Sequence, residues 1–147
     1  MFKISSTQKA YLAGFIDGDG SIYVRLKPNI SYRYGFQISP YIVLFQSSKD
    51  EKLFKEVYSL INFGYLRKRK DGILEYTIGK VEDIKNFLEM IGPYLILKRK
   101  QAILMLKILE KKELVKSESD FEKLMNLIDK FRDLNYSKKR KKHKLTP

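Results

Sequence analysis

The sequence predicts an α+β fold in which two β-hairpins form an antiparallel four-stranded sheet backed by helices. Apolar residues recur at helical spacing in five segments, and two pairs of segments between them read as strands joined by turn residues. At 147 residues the chain can bury one core, and no linker divides it, so we expect a single domain over 1–147. The predicted order is an αββαββ core followed by C-terminal helices.

The first helix is predicted from its capping residues and from the glycines that end it. Ser5 and Gln8 have the spacing of a capping box, and Gly18 and Gly20 stop the helical pattern. The elements after it therefore begin near residue 20.

The first hairpin is predicted from a change in apolar period. Apolar and polar residues alternate over Ser21–Lys27 and again over Gly35–Phe45, with a loop at Pro28 and Asn29 between them. Pro40 cannot donate to a strand ladder, so we expect the second strand to be bulged or to lie at an edge there.

The remaining elements follow from apolar spacing and from turn and capping residues. Ser48 with Glu51 predicts the start of the second helix, and Ser119 with Glu122 predicts the start of the last one. The second helix ends at Asn62 and Gly64, and strands Tyr65–Lys70 and Ile73–Ile78 follow around the Asp71-Gly72 turn. A third helix stops at Gly92-Pro93, and a fourth covers Lys98–Leu109. The last helix has Phe121, Leu124, Ile128 and Phe131 on its inner face.

Composition narrows the function classes. The chain has 30 Lys and Arg against 17 Asp and Glu, a net charge of +13, which favours a polyanionic partner. Cysteine is absent and His143 is the single histidine, which excludes disulfides, thiolate zinc sites and histidine triads within one chain. Residues 136–147 form a basic tail that we expect to touch phosphates. No signal or transit peptide and no bilayer-length apolar run is seen, so no membrane partner is expected.

The outward face of the predicted sheet carries polar, basic and aromatic residues. Arginine and lysine pair with guanine edges, glutamine with adenine, and acidic groups accept from cytosine, while a two-stranded ribbon fits the major groove. A solvated sheet face and RNA binding remain open from this pattern. The candidate nucleic-acid contacts are Tyr23, Arg25, Lys27, Gln37, Ser39, Tyr41, Arg67, Arg69, Glu75 and Thr77 on the strands, Asn29, Ser31 and Tyr32 in the loop, and Ser137, Lys138 and Lys139 in the tail.

The end of the first helix carries two acidic residues where none is favoured. Asp17 and Asp19 lie at its C-terminal end, where the macrodipole presents negative partial charge, so a compensating cation is expected nearby. Ala10 and Gly14, four residues apart, would let a second helix approach closely. A small-residue packing patch with an Asp-Gly turn is the alternative interpretation.

Leu12–Gly20 resembles the LAGLIDADG signature of homing endonucleases, with identity at seven of its nine positions. The chain is most similar to the small, single-motif, homodimeric branch found in algal organelle introns. Other segments that resemble this branch are Lys27–Asn29, Gly64–Arg69, Leu97–Ala102 and Leu134–Lys138.

This resemblance implies a homodimeric, Mg²⁺-dependent endonuclease that makes a staggered double-strand break in a long pseudo-palindromic DNA site and so promotes intron mobility. It implies Asp19, Gln46 and Lys98 as catalytic residues, with the Asp19 carboxylate and the Gly18 carbonyl binding metal. Asp50 stands where the family often has arginine, and Lys49 is a candidate substitute. The implied dimer interface comprises Ala10, Tyr11, Ala13, Gly14 and Asp17.

Mn²⁺ is expected to replace Mg²⁺, Ca²⁺ is expected to support binding without cleavage, and no small-molecule cofactor is expected. The expected location is the chloroplast or another organelle. An intron-encoded RNA maturase and a catalytically silent DNA-binding protein on the same scaffold are the alternatives.

Overall fold

The structure, a computed structural model, describes residues 4–135, and within them the predicted α+β order is confirmed. None of the helices in that range combines the length and apolar character needed to cross a membrane. The helices are α1 (Ser6–Asp19), α2 (Glu51–Ile61), α3 (Val81–Ile91), α4 (Arg99–Glu113) and α5 (Glu118–Leu134), and the strands are β1 (Gly20–Pro28), β2 (Phe36–Ser47), β3 (Tyr65–Lys68) and β4 (Ile73–Ile78).

The four strands form one sheet in the order β1-β2-β4-β3, so each predicted hairpin places its strands side by side. β2 pairs antiparallel with β4 from Ile42 opposite Ile78 to Ser47 opposite Ile73, and β3 also runs antiparallel to β4. Pro40 precedes the stretch of β2 that pairs with β4, so its missing N–H removes no bond from that ladder. Gly72 takes the left-handed conformation that the turn of the second hairpin requires, with φ of 83°.

Contacts group the described residues into two compact units, and the first combines residues 4–22 with 41–99. Within it α1 packs on α3, and the ring of Phe54 lies 6.0 Å from that of Phe15 and 6.2 Å from that of Tyr76. Full burial of a large apolar side chain contributes about 1.5–3 kcal/mol, so this core fixes α1 firmly. Its fully buried side chains include Leu12, Ile16, Ile42, Leu44, Leu74, Tyr76, Ile78, Ile84 and Phe87.

The second unit combines residues 23–40 with residues 100–135, and it has its own core. The ring of Tyr23 meets that of Phe131 edge-on at 5.9 Å, and Tyr34 stacks on Phe121 at 4.9 Å. The buried Gln101 amide donates to the carbonyl of Leu134 at 3.0 Å, which satisfies an end carbonyl of α5.

Capping residues were predicted correctly for α1 and wrongly for two later helices. Ser5 forms the predicted capping box with Gln8. A short 3₁₀ turn at Ser48–Asp50 precedes α2, so that helix begins without a side-chain cap. The Ser117 hydroxyl, rather than that of Ser119, caps α5 by accepting from the Asp120 N–H. In both places another serine lies close in sequence, and spacing alone does not decide between them.

Tyr76 supplies a test of the first core. Its ring is fully buried, its hydroxyl donates to the Phe63 carbonyl, and burial followed by the charge of Tyr58 raises the Tyr76 pKa well above its usual range. We expect Tyr76→Phe to lower the free energy of unfolding by about 1 kcal/mol at neutral pH, because the carbonyl loses its donor.

The difference should shrink above about pH 10, where tyrosine ionises in the unfolded wild type but stays protonated in the fold. Urea unfolding from neutral to alkaline pH measures both effects, with Tyr65→Phe on an exposed ring as control. A difference of constant size across that range would contradict the buried, protonated Tyr76.

Candidate functional site

The C-terminal end of α1 is held by hydrogen bonds to the segment around Lys98. The Asp17 carboxylate accepts from the N–H of Ile96 at 2.9 Å through Oδ2 and from the N–H of Lys98 at 3.0 Å through Oδ1. The Nζ of Lys98 donates to the backbone carbonyl of Asp17 at 2.7 Å. Lys98 is thus attached to α1 through both its main chain and its side chain.

This arrangement supplies the cation that the acidic helix end was expected to need. The last carbonyls of a helix lack intrahelical partners and carry negative partial charge. The Lys98 ammonium donates a hydrogen bond to one of these carbonyls, that of Asp17, which lies two residues before Asp19 in the sequence. Lys98 therefore offsets negative charge at the same helix end that presents Asp19.

Gly18 and Asp19 are both exposed at this helix end. Over residues 4–135 no three His, Cys, Asp or Glu side chains are grouped as a complete metal site. Mg²⁺ commonly binds one or two carboxylates and fills its remaining positions with water and substrate phosphates. The Asp19 carboxylate and the Gly18 carbonyl are hard oxygen donors of this kind, so they fit a Mg²⁺ site that a phosphate substrate completes.

Gln46 lies at the end of β2 in a groove of about 260 Å³. Its side-chain oxygen accepts from the Ser47 N–H at 3.0 Å, which turns the amide back along the strand. Asp50 is exposed at the start of α2, lines the same groove, and makes no side-chain cap for that helix. The groove is completed by Tyr11, Phe15, Leu53, Phe54 and Val57, so the predicted polar residues sit beside an apolar wall of α1 and α2.

The outer face of α1 matches part of the predicted interface. Ala10, Tyr11 and Gly14 are exposed, and Tyr11 keeps 54% of its surface accessible. The interface prediction is wrong for Ala13, which is fully buried inside its own chain and has no surface to offer a partner. Asp17, also placed at the interface, uses its carboxylate within the chain instead.

Contacts within the chain do not require either glycine of α1. A Cβ added at Gly14 or Gly18 would meet nothing within 4 Å, whereas one at Gly20 would lie 2.9 Å from the Cα of Ile16. Glycine in a helix costs about 1 kcal/mol relative to alanine. Contacts within the chain thus require glycine at position 20, whereas Gly14 and Gly18 leave part of the α1 surface without side chains.

The second hairpin carries a network of ion pairs around its predicted arginines. Arg69 pairs with Asp71 at 2.7 Å and with Glu75 at 3.3 Å, and Arg67 lies 4.0 Å from Glu75. Such partly exposed pairs are worth about 0–1 kcal/mol, so a stronger anion can displace them. Arg67, with 68% of its side chain exposed, is the freer of the two arginines.

The loop of the first hairpin is ordered by its own hydrogen bonds. The Asn29 side-chain oxygen accepts from the N–H of Ser31 at 3.0 Å and from its hydroxyl at 2.6 Å, and Tyr32 donates its N–H to the Asn29 carbonyl at 3.1 Å. All three side chains are exposed, as are those of Arg25 and Lys27. These residues can therefore meet a ligand without unfolding the loop.

The prediction that Tyr23 lies on the outward face of the sheet is wrong. Tyr23 is only 7% exposed, because its aromatic ring packs against Phe131 of α5 and supports the core. The other strand candidates, Gln37, Ser39, Tyr41 and Thr77, are half-buried. Ser137, Lys138 and Lys139 lie outside the described residues.

Sequence reasoning missed the roles of Asp17 and Asp71. The position of Asp17 at a helix C-terminus signalled an unmet electrostatic need, but its partners are 79 and 81 residues away in sequence. The Asp71–Arg69 pair was within reach of the sequence, because both residues flank one predicted turn.

Comparison with known proteins shows the family of the chain. The profile of the LAGLIDADG endonuclease family matches residues 12–109. The chain is 38% identical over 132 residues to DNA endonuclease I-CreI of Chlamydomonas reinhardtii, and this alignment covers 89% of this chain and 80% of that protein. It is 34% identical over 131 residues to DNA endonuclease I-CvuI of Chlorella vulgaris, and this alignment covers 89% of this chain and 81% of that protein.

Solved structures share the fold. The crystal structure of I-CvuI superposes with a TM-score of 0.85 at 32% identity, covering 92% of this chain and 86% of that one. I-CvuI has been crystallised with DNA in 2 mM Mg, the DNA not being cleaved, and with its own target in 2 mM Ca. The matches to the family profile and to these two relatives extend over the signature helix and the strands after it, and the chain belongs to the LAGLIDADG endonuclease family.

Proposed function

We propose that this chain is a homodimeric, Mg²⁺-dependent homing endonuclease that cuts a specific double-stranded DNA site. The observation that carries the proposal is that one helix end presents an exposed Asp19 and also binds the Lys98 ammonium at the carbonyl of Asp17. A carboxylate for metal and an ammonium for phosphate charge are the groups that phosphodiester hydrolysis needs. The DNA endonucleases I-CreI and I-CvuI, both similar over most of this chain, support the same reaction class.

Each side chain has a role in this reaction. Asp19 and the Gly18 carbonyl would hold Mg²⁺, which when bound supplies Lewis-acid stabilisation of charge on phosphate oxygens. Lys98 holds its ammonium at the α1 end and stabilises negative charge developing on the phosphate. Gln46 offers an amide that donates and accepts hydrogen bonds and orders water for in-line attack. Mn²⁺ is expected to replace Mg²⁺, and Ca²⁺ to support binding alone.

The proposal of a homodimer follows from the number of active groups. One chain carries one Asp19, whereas a double-strand break requires chemistry on two strands. A two-fold dimer supplies both copies and matches a pseudo-palindromic site. The bare face of α1 at Gly14 and Gly18 supports this assembly, because small residues let two helix backbones approach closely.

The proposed DNA surface consists of the two hairpins. The net charge of +13 attracts phosphates, and exposed Arg25, Lys27 and Arg67 can reach base edges in the major groove. The tests below also distinguish two alternative functions. A maturase would act on intron RNA, and a catalytically silent DNA-binding protein would bind DNA without cutting it. The similarity to endonucleases of two algae supports an organelle intron, such as a chloroplast one, as the origin of the chain.

The first prediction tests Asp19. Asp19→Asn keeps the shape of the side chain and removes its negative charge, so it should abolish cleavage while leaving specific DNA affinity within about threefold. Cleavage selection from a randomised palindromic library in Mg²⁺ first supplies the target duplex. Plasmid cleavage in Mg²⁺ and gel shift in Ca²⁺ then compare the two proteins.

Asp83→Asn, the same change on α3, is the matched control and should cut normally. Cleavage by Asp19→Asn at the wild-type rate would reject the catalytic assignment. Wild-type binding without any cleavage would favour the silent binder, and stimulated splicing of a precursor RNA without DNA cleavage would favour the maturase.

The second prediction tests the α1 face. Gly14→Leu places a large side chain where the chain itself leaves open space, so it should force two packed helices apart and yield monomers. Sedimentation equilibrium measures the change in mass. Gly79→Leu is the control, because a Cβ at this exposed loop position also meets nothing within 4 Å. A monomeric wild type that cuts both strands would contradict the dimer.

The third prediction tests base recognition by the second hairpin. Arg67→Ala should cost about 1–3 kcal/mol in binding the selected site and relax preference at one base pair per half-site. Lys70→Ala, in the exposed turn of the same hairpin, should weaken all sequences alike and lower the salt slope by about one. Binding profiles on single-substitution duplexes distinguish these effects, and an unchanged profile for Arg67→Ala would exclude it from base readout.

A further inference from the structure

Asp17 makes more contacts with the Lys98 segment than a helix-end acid needs. Its two carboxylate oxygens accept from two different N–H groups, those of Ile96 and Lys98, and its own carbonyl accepts from the Lys98 ammonium. One residue therefore fixes Lys98 at its backbone and at the tip of its side chain. The Lys98 ammonium satisfies an end carbonyl of α1, whereas the two bonds to the Asp17 carboxylate hold the backbone of residues 96–98.

A lysine held in this way differs from an ordinary surface lysine. A free lysine side chain has many rotamers, and it would have to lose that entropy whenever it contacts a phosphate. Here Lys98 is half-buried and its Nζ already lies 2.7 Å from a fixed acceptor. That entropy is lost on folding rather than during the reaction, which is the physical meaning of preorganisation.

We propose that Asp17 is a positioning residue for catalysis: its carboxylate clamps the backbone of residues 96–98 so that the Lys98 ammonium stays at the end of α1 that presents Asp19. The inference rests on the proposed endonuclease function. It separates the two acids of the signature by task, since Asp19 faces substrate and metal whereas Asp17 acts through Lys98.

The chemistry of the clamp specifies the variant that tests it. A carboxylate accepts through both oxygens, whereas an asparagine amide accepts through one atom and donates through the other. Asp17→Asn therefore sets an NH₂ group against a backbone N–H, either that of Ile96 or that of Lys98, and releases one bond of the clamp. The size of the side chain stays the same, so the packing of α1 is preserved.

The first arm of the experiment measures cleavage by the full-length dimer on the selected duplex under single-turnover conditions. Misplacement of a catalytic group by about 1 Å can cost on the order of a hundredfold, so we expect Asp17→Asn to cut about 10- to 100-fold more slowly. Its DNA affinity in Ca²⁺ should remain within about threefold of the wild type. Asp83→Asn again serves as the matched control.

A double-mutant cycle tests whether Asp17 acts through Lys98. If it does, Asp17→Asn combined with Lys98→Met should cut no more slowly than Lys98→Met alone. Multiplied losses would show that Asp17 acts independently of Lys98 and would overturn the inference. A wild-type cleavage rate for folded Asp17→Asn would overturn it as well, whereas absence of cleavage by the wild type would reject the proposed function itself.

The second arm needs neither metal nor DNA. Reductive methylation followed by mass spectrometry reports how accessible each lysine amine is. In the wild type Lys98 should react several-fold more slowly than the exposed Lys100, and Asp17→Asn should remove most of that protection. Equal reactivity of Lys98 and Lys100 in the wild type would contradict the tether, and this arm decides even if Asp17→Asn fails to fold.

Discussion

The C-terminal end of α1 is the electrostatic constraint on which the proposed active site depends. Two carboxylates and the end carbonyls of the helix meet there, and each places negative charge where the helix dipole already has its negative end. The chain offsets this charge with backbone N–H groups and with the Lys98 ammonium, brought from a segment about 80 residues later. The compensation is incomplete, because Asp19 remains exposed. An uncompensated carboxylate at a negative helix end is a poor structural element and a good ligand for a divalent cation.

The same helix faces two different environments, which explains its unusual composition. Leu12, Ala13 and Ile16 are fully buried in the first unit, while Ala10, Tyr11, Gly14 and Gly18 are exposed on other sides. A helix with only one partner would carry polar residues on its outer face. Exposed glycines weaken an isolated helix and are not required by contacts within this chain. A second helix packed on that face would account for both observations.

The order of elements could be predicted from the sequence because it depends on local signals, namely capping residues, turn glycines and apolar period. The strand Ile73–Ile78 was predicted to the residue, and β3 ended two residues before its predicted end at Lys70. The errors arise where tertiary contacts decide. Tyr23 alternates with apolar residues as an outward residue would, yet an aromatic ring from α5 buries it. The Asp17–Lys98 contact could not be predicted, because no local spacing brings together residues 81 positions apart.

The ion pairs of the second hairpin bear both on the stability of the free protein and on its proposed recognition of DNA. The net charge alone does not reveal them. In the free protein Arg69 pairs with Asp71 and Glu75, and Arg67 lies 4.0 Å from Glu75. Because such partly exposed pairs are weak, breaking them costs little free energy. A guanine edge can replace such a pair with two aligned hydrogen bonds, whereas a mismatched base leaves the carboxylate as the better partner. If this hairpin reads base edges as proposed, Glu75 and Asp71 compete with the bases for the two guanidiniums, and discrimination depends on the difference between the two sets of bonds.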